Sequence, residues 1–282
     1  MMGEPYTLVR PDRTGDALPI LYDSPHSGRE YPDDFGSALD LSLLRRAEDA
    51  HVDELLLEAP AQGVSLLHAH FPRAYVDANR ARDDVDPRIL DRAPSMALHP
   101  GEKSSMRIGL IREIVTPGLN IYDRKLSWSE VERRIERCWL PYRNALTSVL
   151  SELRRRHGRV LHVQWHSMKS VGNAATPDGP GRRRPDMVVG DRFGTSCTTS
   201  TRDLLLELLR EGGYAVSLND PYAGGAILSE IADPGNGIES LQVEINRGLY
   251  LDEAKVEKTL GFERLKSNIS ALTEQLARRW QP

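Results

Sequence analysis

Val160-Leu161-His162-Val163-Gln164-Trp165-His166-Ser167-Met168-Lys169-Ser170 is the stretch on which the reading of the fold turns. Gly158 and Arg159 mark a turn before it, and Val160, Leu161 and Val163 supply an apolar run. That is the form of a buried parallel strand, with its polar group arriving at the C-terminal end. Ligands of open α/β sheets bind beyond those ends. His166 stands there, followed by a small hydroxyl residue and a Gly- and Pro-rich loop over 168–185. Taken alone, such a histidine is more often a hydrogen-bonded core residue than a ligand.

The same pattern recurs along the chain. Leu18 to Asp23 is an apolar run that delivers His26 into a Pro/Gly loop. Residues 63–70 read as a strand, and Tyr75 and Val76 favour extended structure before the polar group Asp77-Ala78-Asn79-Arg80. A strand over 186–191, an edge-like strand over 214–219 and an alternating strand over 240–246 follow, the last carrying Glu244. Residues 106–116 are a further strand candidate, interrupted by Arg112 and Glu113.

Helical periodicity covers 39–59, with Asp49 as a possible cap ahead of Val52 and Leu55. Within it the acidic residues Glu54 and Glu58 read as a solvated face. Ser127 and Glu130 stand at capping-box spacing before a helix running to 156, which Pro141 should kink or divide. Helices over 199–211 and 262–280 complete the alternation. The expectation is an α/β fold, with a mixed, mainly parallel sheet flanked by helices in one domain over 1–282.

Composition narrows the function. The 282 residues are 39% hydrophobic with net charge −4, so no basic footprint suggests nucleic acid. Arg182-Arg183-Arg184 is the densest basic run and reads as a solvated loop. No apolar run approaches the ~18 residues of a membrane span, and no signal peptide is evident. Two cysteines are too few for a disulfide framework or a cysteine metal site. A soluble, cytoplasmic protein with reduced thiols is expected.

If the strand ends converge, His26, His166 and a carboxylate make a common catalytic zinc set, with a position left for water. Glu244 is then a separate carboxylate able to take a proton from that water. Arginines could hold an anionic substrate through forked hydrogen bonds.

Five ordered motifs carry a sharper signal. They are Asp23-Ser24-Pro25-His26-Ser27-Gly28-Arg29-Glu30-Tyr31-Pro32, Asp49-Ala50-His51-Val52-Asp53, residues 72–80, Trp165-His166-Ser167, and Glu244-Ile245-Asn246-Arg247-Gly248-Leu249-Tyr250. With 219–225 they resemble the N-formylglutamate amidohydrolase family over nearly the whole chain. That family is similar to the zinc carboxypeptidases and aspartoacylases. The resemblance implies zinc-dependent hydrolysis of N-formyl-L-glutamate at the end of one histidine-degradation route, on a carboxypeptidase-like fold. It implies His26 and His166 as zinc ligands, Glu244 as general base, and Asn79 with Arg80 as the carboxylate-binding pair. Arg73 is the candidate for oxyanion stabilisation. Arg247 is the first candidate for the side-chain carboxylate of this dicarboxylate substrate, with Arg73, Arg107 and Arg112 as others.

One departure stands out. Zinc carboxypeptidases place a glutamate three residues after the first histidine ligand, where this chain has Arg29. The third ligand is therefore expected from the second motif: Asp49 first, then Asp53 or His51, with Glu30 behind them. Two alternatives stay open, namely a deacylase of other N-acyl amino acids or small peptides, and a metal-free carboxylate-binding module.

Overall fold

The computed structural model describes residues 3–11 and 17–280. Its strands in chain order are β1 (Tyr6–Val9), β2 (Ile20–Ser24), β3 (Ser65–Ala69), a hairpin of β4 (Ile114–Thr116) and β5 (Leu119–Asn120), then β6 (Val160–Met168), β7 (Met187–Gly190), β8 (Val216–Leu218), β9 (Ile238–Asn246) and a short pair, β10 (Leu251–Asp252) with β11 (Glu257–Lys258). Seven of these form one sheet in the order β1-β3-β2-β6-β9-β7-β8. The four central strands β3, β2, β6 and β9 run parallel. β1 pairs antiparallel with β3, and β7 pairs antiparallel with β9. The sheet is therefore mixed, and the far end of β7 with Asp191 points away from the edge that carries His166.

Two apolar layers cover the sheet. The helices Thr199–Glu211 and Gly261–Arg279 pack Leu205, Leu209, Leu265 and Leu276 against Val163, Trp165, Val243 and Ile245. On the other side Leu140–His157 brings Tyr142, Leu146, Val149 and Leu153 against Leu21, Leu67 and Phe71. The capping box Ser127–Glu130 starts this helical stretch. Pro141 does not break it: five π-helical residues, Ile135–Trp139, precede it and the helix continues. A widened turn absorbs the missing proline N–H. Among the described residues no helix is long and apolar enough to cross a membrane.

Several expectations change here. β6 does not keep its polar residues for its end. His162 pairs in register with Ser240, Gln164 with Gln242 and His166 with Glu244, all on the face opposite Val163, Trp165 and Val243. Because side chains alternate, this places a buried polar seam along the β6–β9 pair, leading to the site.

The helix expected over 39–59 is broken into Leu41–Leu44, a 3-10 turn Arg45–Ala47, and Val52–Leu55. Glu48 is extended and His51 is left-handed at φ 63°, so Asp49 is not a helix cap. The Asp49 N–H donates to the His26 carbonyl at 2.9 Å instead, pinning this segment to the β2 loop. Residues 72–80 form turns rather than a strand, and only Ile114–Thr116 of the 106–116 candidate is a strand. Arg184 is buried, unlike the solvated loop expected of its run.

Candidate functional site

The loops after β2 and β3 and the C-terminal ends of β6 and β9 converge on one sheet edge. Gly28 makes that convergence possible. A Cβ there would stand 2.1 Å from the Phe71 carbonyl oxygen, so only glycine lets the two loops pass. His26, Asp49 and His166 meet at the bottom of the resulting cavity, all fully buried, with one donor atom from each within 4.8 Å of the others.

The carboxylate of Asp49 divides its work. Oδ1 accepts from Arg247 Nη2 at 3.0 Å and from Arg73 Nη1 at 3.4 Å. Oδ2 lies 2.9 Å from His166 Nδ1 and 3.4 Å from His26 Nδ1. Burial alone would raise the Asp49 pKa, but Arg73 and the two imidazoles hold it well below the usual carboxylate range. His26 Nε2 is 2.6 Å from Asp77 Oδ1, while its Nδ1 has no hydrogen-bond partner. A buried imidazole nitrogen without a partner, beside a second imidazole and an ionised carboxylate, fits a zinc ion. Asp77 supplies the outer carboxylate that commonly orients a ligand histidine.

The remaining candidates separate cleanly. His51 Nδ1 pairs with Glu54 at 2.8 Å, Arg29 holds Asp53 and Glu54, and Glu30 is half-exposed near His70. None of them joins the His26–Asp49–His166 group. Glu54 and Glu58 make ion pairs with Lys258 and Lys266, in keeping with a solvated face.

Glu244 is half-buried on the cavity wall, in register with His166, and accepts from Gln242 Nε2 at 3.0 Å. Burial pushes its carboxyl up to about 7, against the pull of His166. Arg247 does not pair with it. Its three nitrogens reach Ser167 Oγ at 3.0 Å, the Arg46 carbonyl at 3.2 Å and Asp49.

Arg73 lines the cavity and donates to Asp77 Oδ2 at 3.0 Å as well as to Asp49. Asn79 is buried behind His166. Its Nδ2 reaches Gln164 Oε1 at 3.0 Å and lies 3.3 Å from His166 Nε2, and its Oδ1 accepts from the Ile227 N–H. Gly225 opens the space for that amide, since a Cβ would sit 2.5 Å from it. Arg80 lines the cavity and donates to the carbonyls of Ile108 and Asn79.

A profile of the N-formylglutamate amidohydrolase family matches residues 18–251. The chain belongs to the N-formylglutamate amidohydrolase family. It is 28% identical over 244 residues to an N-formylglutamate deformylase of Pseudomonas putida, covering 84% of each chain. It is similarly 28% identical to an N-formylglutamate deformylase of Pseudomonas aeruginosa, over 242 residues. The crystal structure of an N-formylglutamate amidohydrolase from Ralstonia eutropha JMP134 superposes with a TM-score of 0.91 at 42% identity, covering 97% of both chains. The gene product Atu2144 of Agrobacterium tumefaciens shares the fold at a TM-score of 0.69 and 17% identity.

Two parts of this family member's site escaped sequence reasoning. Asp77 was visible only as one member of the polar group over 77–80 at an expected strand end. The need of a ligand histidine for an acceptor on its second nitrogen would have singled it out. Arg184 packs over the Tyr222 ring and pairs with Asp178 at 2.8 Å, so both aromatic and guanidinium line the cavity. Nothing in the local sequence signals that contact across nearly forty residues.

Proposed function

We propose that the chain is a zinc-dependent amidohydrolase that cleaves N-formyl-L-glutamate to formate and L-glutamate. One observation carries the reading: in a chain of this family, the unpartnered Nδ1 of His26 faces His166 and Asp49 at the bottom of a cation-rich cavity of about 540 Å³. His26, Asp49 and His166 would hold the ion. When bound, zinc supplies Lewis-acid polarisation of the formyl oxygen and a lowered pKa for water.

The side chains divide the remaining work. Glu244 takes a proton from the attacking water and passes it to the amide nitrogen as the C–N bond breaks. Its raised pKa makes it a stronger base than an ordinary carboxylate. Gln242 steadies one of its oxygens. Arg73 brings a fixed positive charge to the oxyanion that develops on the formyl oxygen. Arg80 binds the α-carboxylate, and Asn79 positions both Arg80 and the His166 ring. Arg247 acts from behind, through Asp49.

The test is hydrolysis of N-formyl-L-glutamate, compared with N-acetyl-L-glutamate, alongside zinc content. About one zinc per chain and turnover abolished by a chelator and restored by zinc are expected. Glu244→Gln should lose about 10²–10⁴ in kcat with zinc retained. Turnover indifferent to metal removal, or a near-normal Glu244→Gln enzyme, would refute the reading.

A further inference from the structure

The cavity carries three guanidinium groups that no carboxylate of the described residues pairs with. Arg73, Arg184 and Arg247 are each paired with a buried aspartate. Among the described residues, Arg46, Arg80 and Arg112 line the same cavity with no carboxylate in ion-pairing range, and Arg46 turns Nη2 to the Ala254 carbonyl at 3.2 Å. Arg80 has committed Nε to the Ile108 carbonyl and Nη1 to the Asn79 carbonyl. Arg112 has committed only Nε, to the Ile114 carbonyl at 3.2 Å. Both of its terminal nitrogens remain for a ligand. Lys103 and Lys169 add further cationic lining. Burial, then the nearby charge of Arg73, pushes the Arg112 pKa down to about 9. It stays protonated at neutral pH, with the charges of Asp77 and Asp49 acting on it but neither carboxylate paired with it.

We propose that Arg112 is the specificity-determining residue, gripping the distal carboxylate of the substrate in a bidentate fork while Arg80 holds the α-carboxylate. The assignment rests on the amidohydrolase reading above and deepens it. Other arginines fail on geometry. Arg247 lines the cavity, but each of its three nitrogens is already engaged, by Ser167, the Arg46 carbonyl and Asp49. Arg107 pairs with Glu113 and Asn120 and does not line the cavity.

The order of the two grips follows from substrate chemistry. In an N-formyl glutamate the α-carboxylate is two bonds from the scissile nitrogen, and the distal one is four. Arg80 follows Asn79, which lies 3.3 Å from His166, and its charge helps hold the Asp77 carboxyl down. It is the grip nearer the reacting bond. Arg112 belongs to the wall that also presents Lys103, Ile108 and Ile114 to Pro117. A substrate with one carboxylate leaves Arg112 buried and unpaired, a heavy penalty that turns charge into selectivity.

The test is the ratio of kcat/KM for N-formyl-L-glutamate to that for N-formyl-L-glutamine. The wild type should favour the diacid by about 100-fold or more, as expected for one unmatched buried charge. Arg112→Gln should bring the ratio to within about tenfold. Arg112→Lys keeps the charge but loses the fork, and should lower the ratio about tenfold. It decides the matter alone should Arg112→Gln fail to fold. An unchanged ratio, or equal losses on both substrates, overturns the assignment. Wild-type protein that hydrolyses neither compound defeats the amidohydrolase reading instead. Calorimetry with L-glutamate and L-glutamine then decides the pocket by itself: a preference for glutamate lost in Arg112→Gln upholds the assignment, and equal binding overturns it.

Discussion

His162 and His166 stand four residues apart on one face of the same strand, both buried, and each beside a buried aspartate; only His166 joins a group that could hold a metal ion. His162 is closed. Its Nε2 meets Asp23 at 2.8 Å and its Nδ1 meets Ser240 Oγ at 2.7 Å. Asp23 in turn accepts from Tyr142 and Gln164, groups that donate protons and bind no zinc. His166 is open. Its Nδ1 shares Asp49 Oδ2 with a second imidazole, 4.6 Å away between ring centroids, whose own Nδ1 has no other partner. Burial and a carboxylate partner are common to both. Under the zinc reading, what separates a ligand from a brace is the convergence of His26, Asp49 and His166 on one point.

The largest test of that distinction is a pair of substitutions on β6. His166→Ala should lose the zinc, and with it roughly 10³-fold or more in activity, the equivalent of several kcal/mol of Lewis-acid stabilisation. His162→Gln should keep one zinc per chain and lose stability instead. The loss should be on the order of 1–3 kcal/mol, because a buried acceptor is left poorly matched. Metal content by atomic absorption and urea denaturation read the two effects separately. The comparison fails if His162→Gln empties the site or His166→Ala fills it.

The same contrast explains what was legible in the chain. Apolar periodicity located the sheet and most of its helices, because Val163, Trp165, Val243 and Ile245 bury one continuous face. The strand ends pointed to His26, His166 and Glu244, which the fold brings to one cavity. The 39–59 stretch departs from the expected helix because, although its period is apolar enough, Asp49 draws the chain out of helical form. That pull comes from Arg73 and Arg247, which are 24 and 198 residues distant in sequence. The direction of β7 and the seam of His162, Gln164 and Gln242 were equally out of reach, since strand order decides them. The commitment of Arg247 to Asp49 is also tertiary, whereas its motif suggested a substrate grip.

A middle-sized effect sharpens the comparison from the outer side. Asp77 holds the far nitrogen of His26, as Asp23 holds that of His162. Asp77→Asn keeps the shape and removes the charge. Zinc affinity should weaken about 10–100-fold, the range for a partner that orients a ligand histidine. Competition with a chelating dye measures it. Unchanged affinity would mean that the 2.6 Å contact braces the fold only.

A third histidine, His68, tests whether an unpartnered nitrogen suffices to make a site. Its Nδ1 is buried and without a partner, like that of His26. Its neighbours are different. The His70 ring lies 5.5 Å away, and Arg29 is the other charge that acts on it. No carboxylate joins them in a metal-binding group among the described residues. Burial first, then His70 and Arg29, pushes the His68 pKa down from 6.5 to about 4. The sign of the consequence is fixed. Above about pH 6.5 His68 is neutral in both folded and unfolded chains, and folding loses nothing to it. Between pH 6.5 and 4 the unfolded chain takes up a proton that the folded chain refuses, so stability falls on the order of 1 kcal/mol per pH unit. Below about 4 both forms are protonated and this contribution levels off. His68→Gln removes the titration but keeps a polar side chain, so its stability should fall less steeply than the wild type's over that window. The zinc content of the variant should match the wild type. Urea denaturation at intervals from pH 7 to 4.5, on both proteins, cancels every other titrating group. Parallel curves would show that His68 is not the buried neutral imidazole described here, and lost zinc would show that convergence of donors is not the criterion.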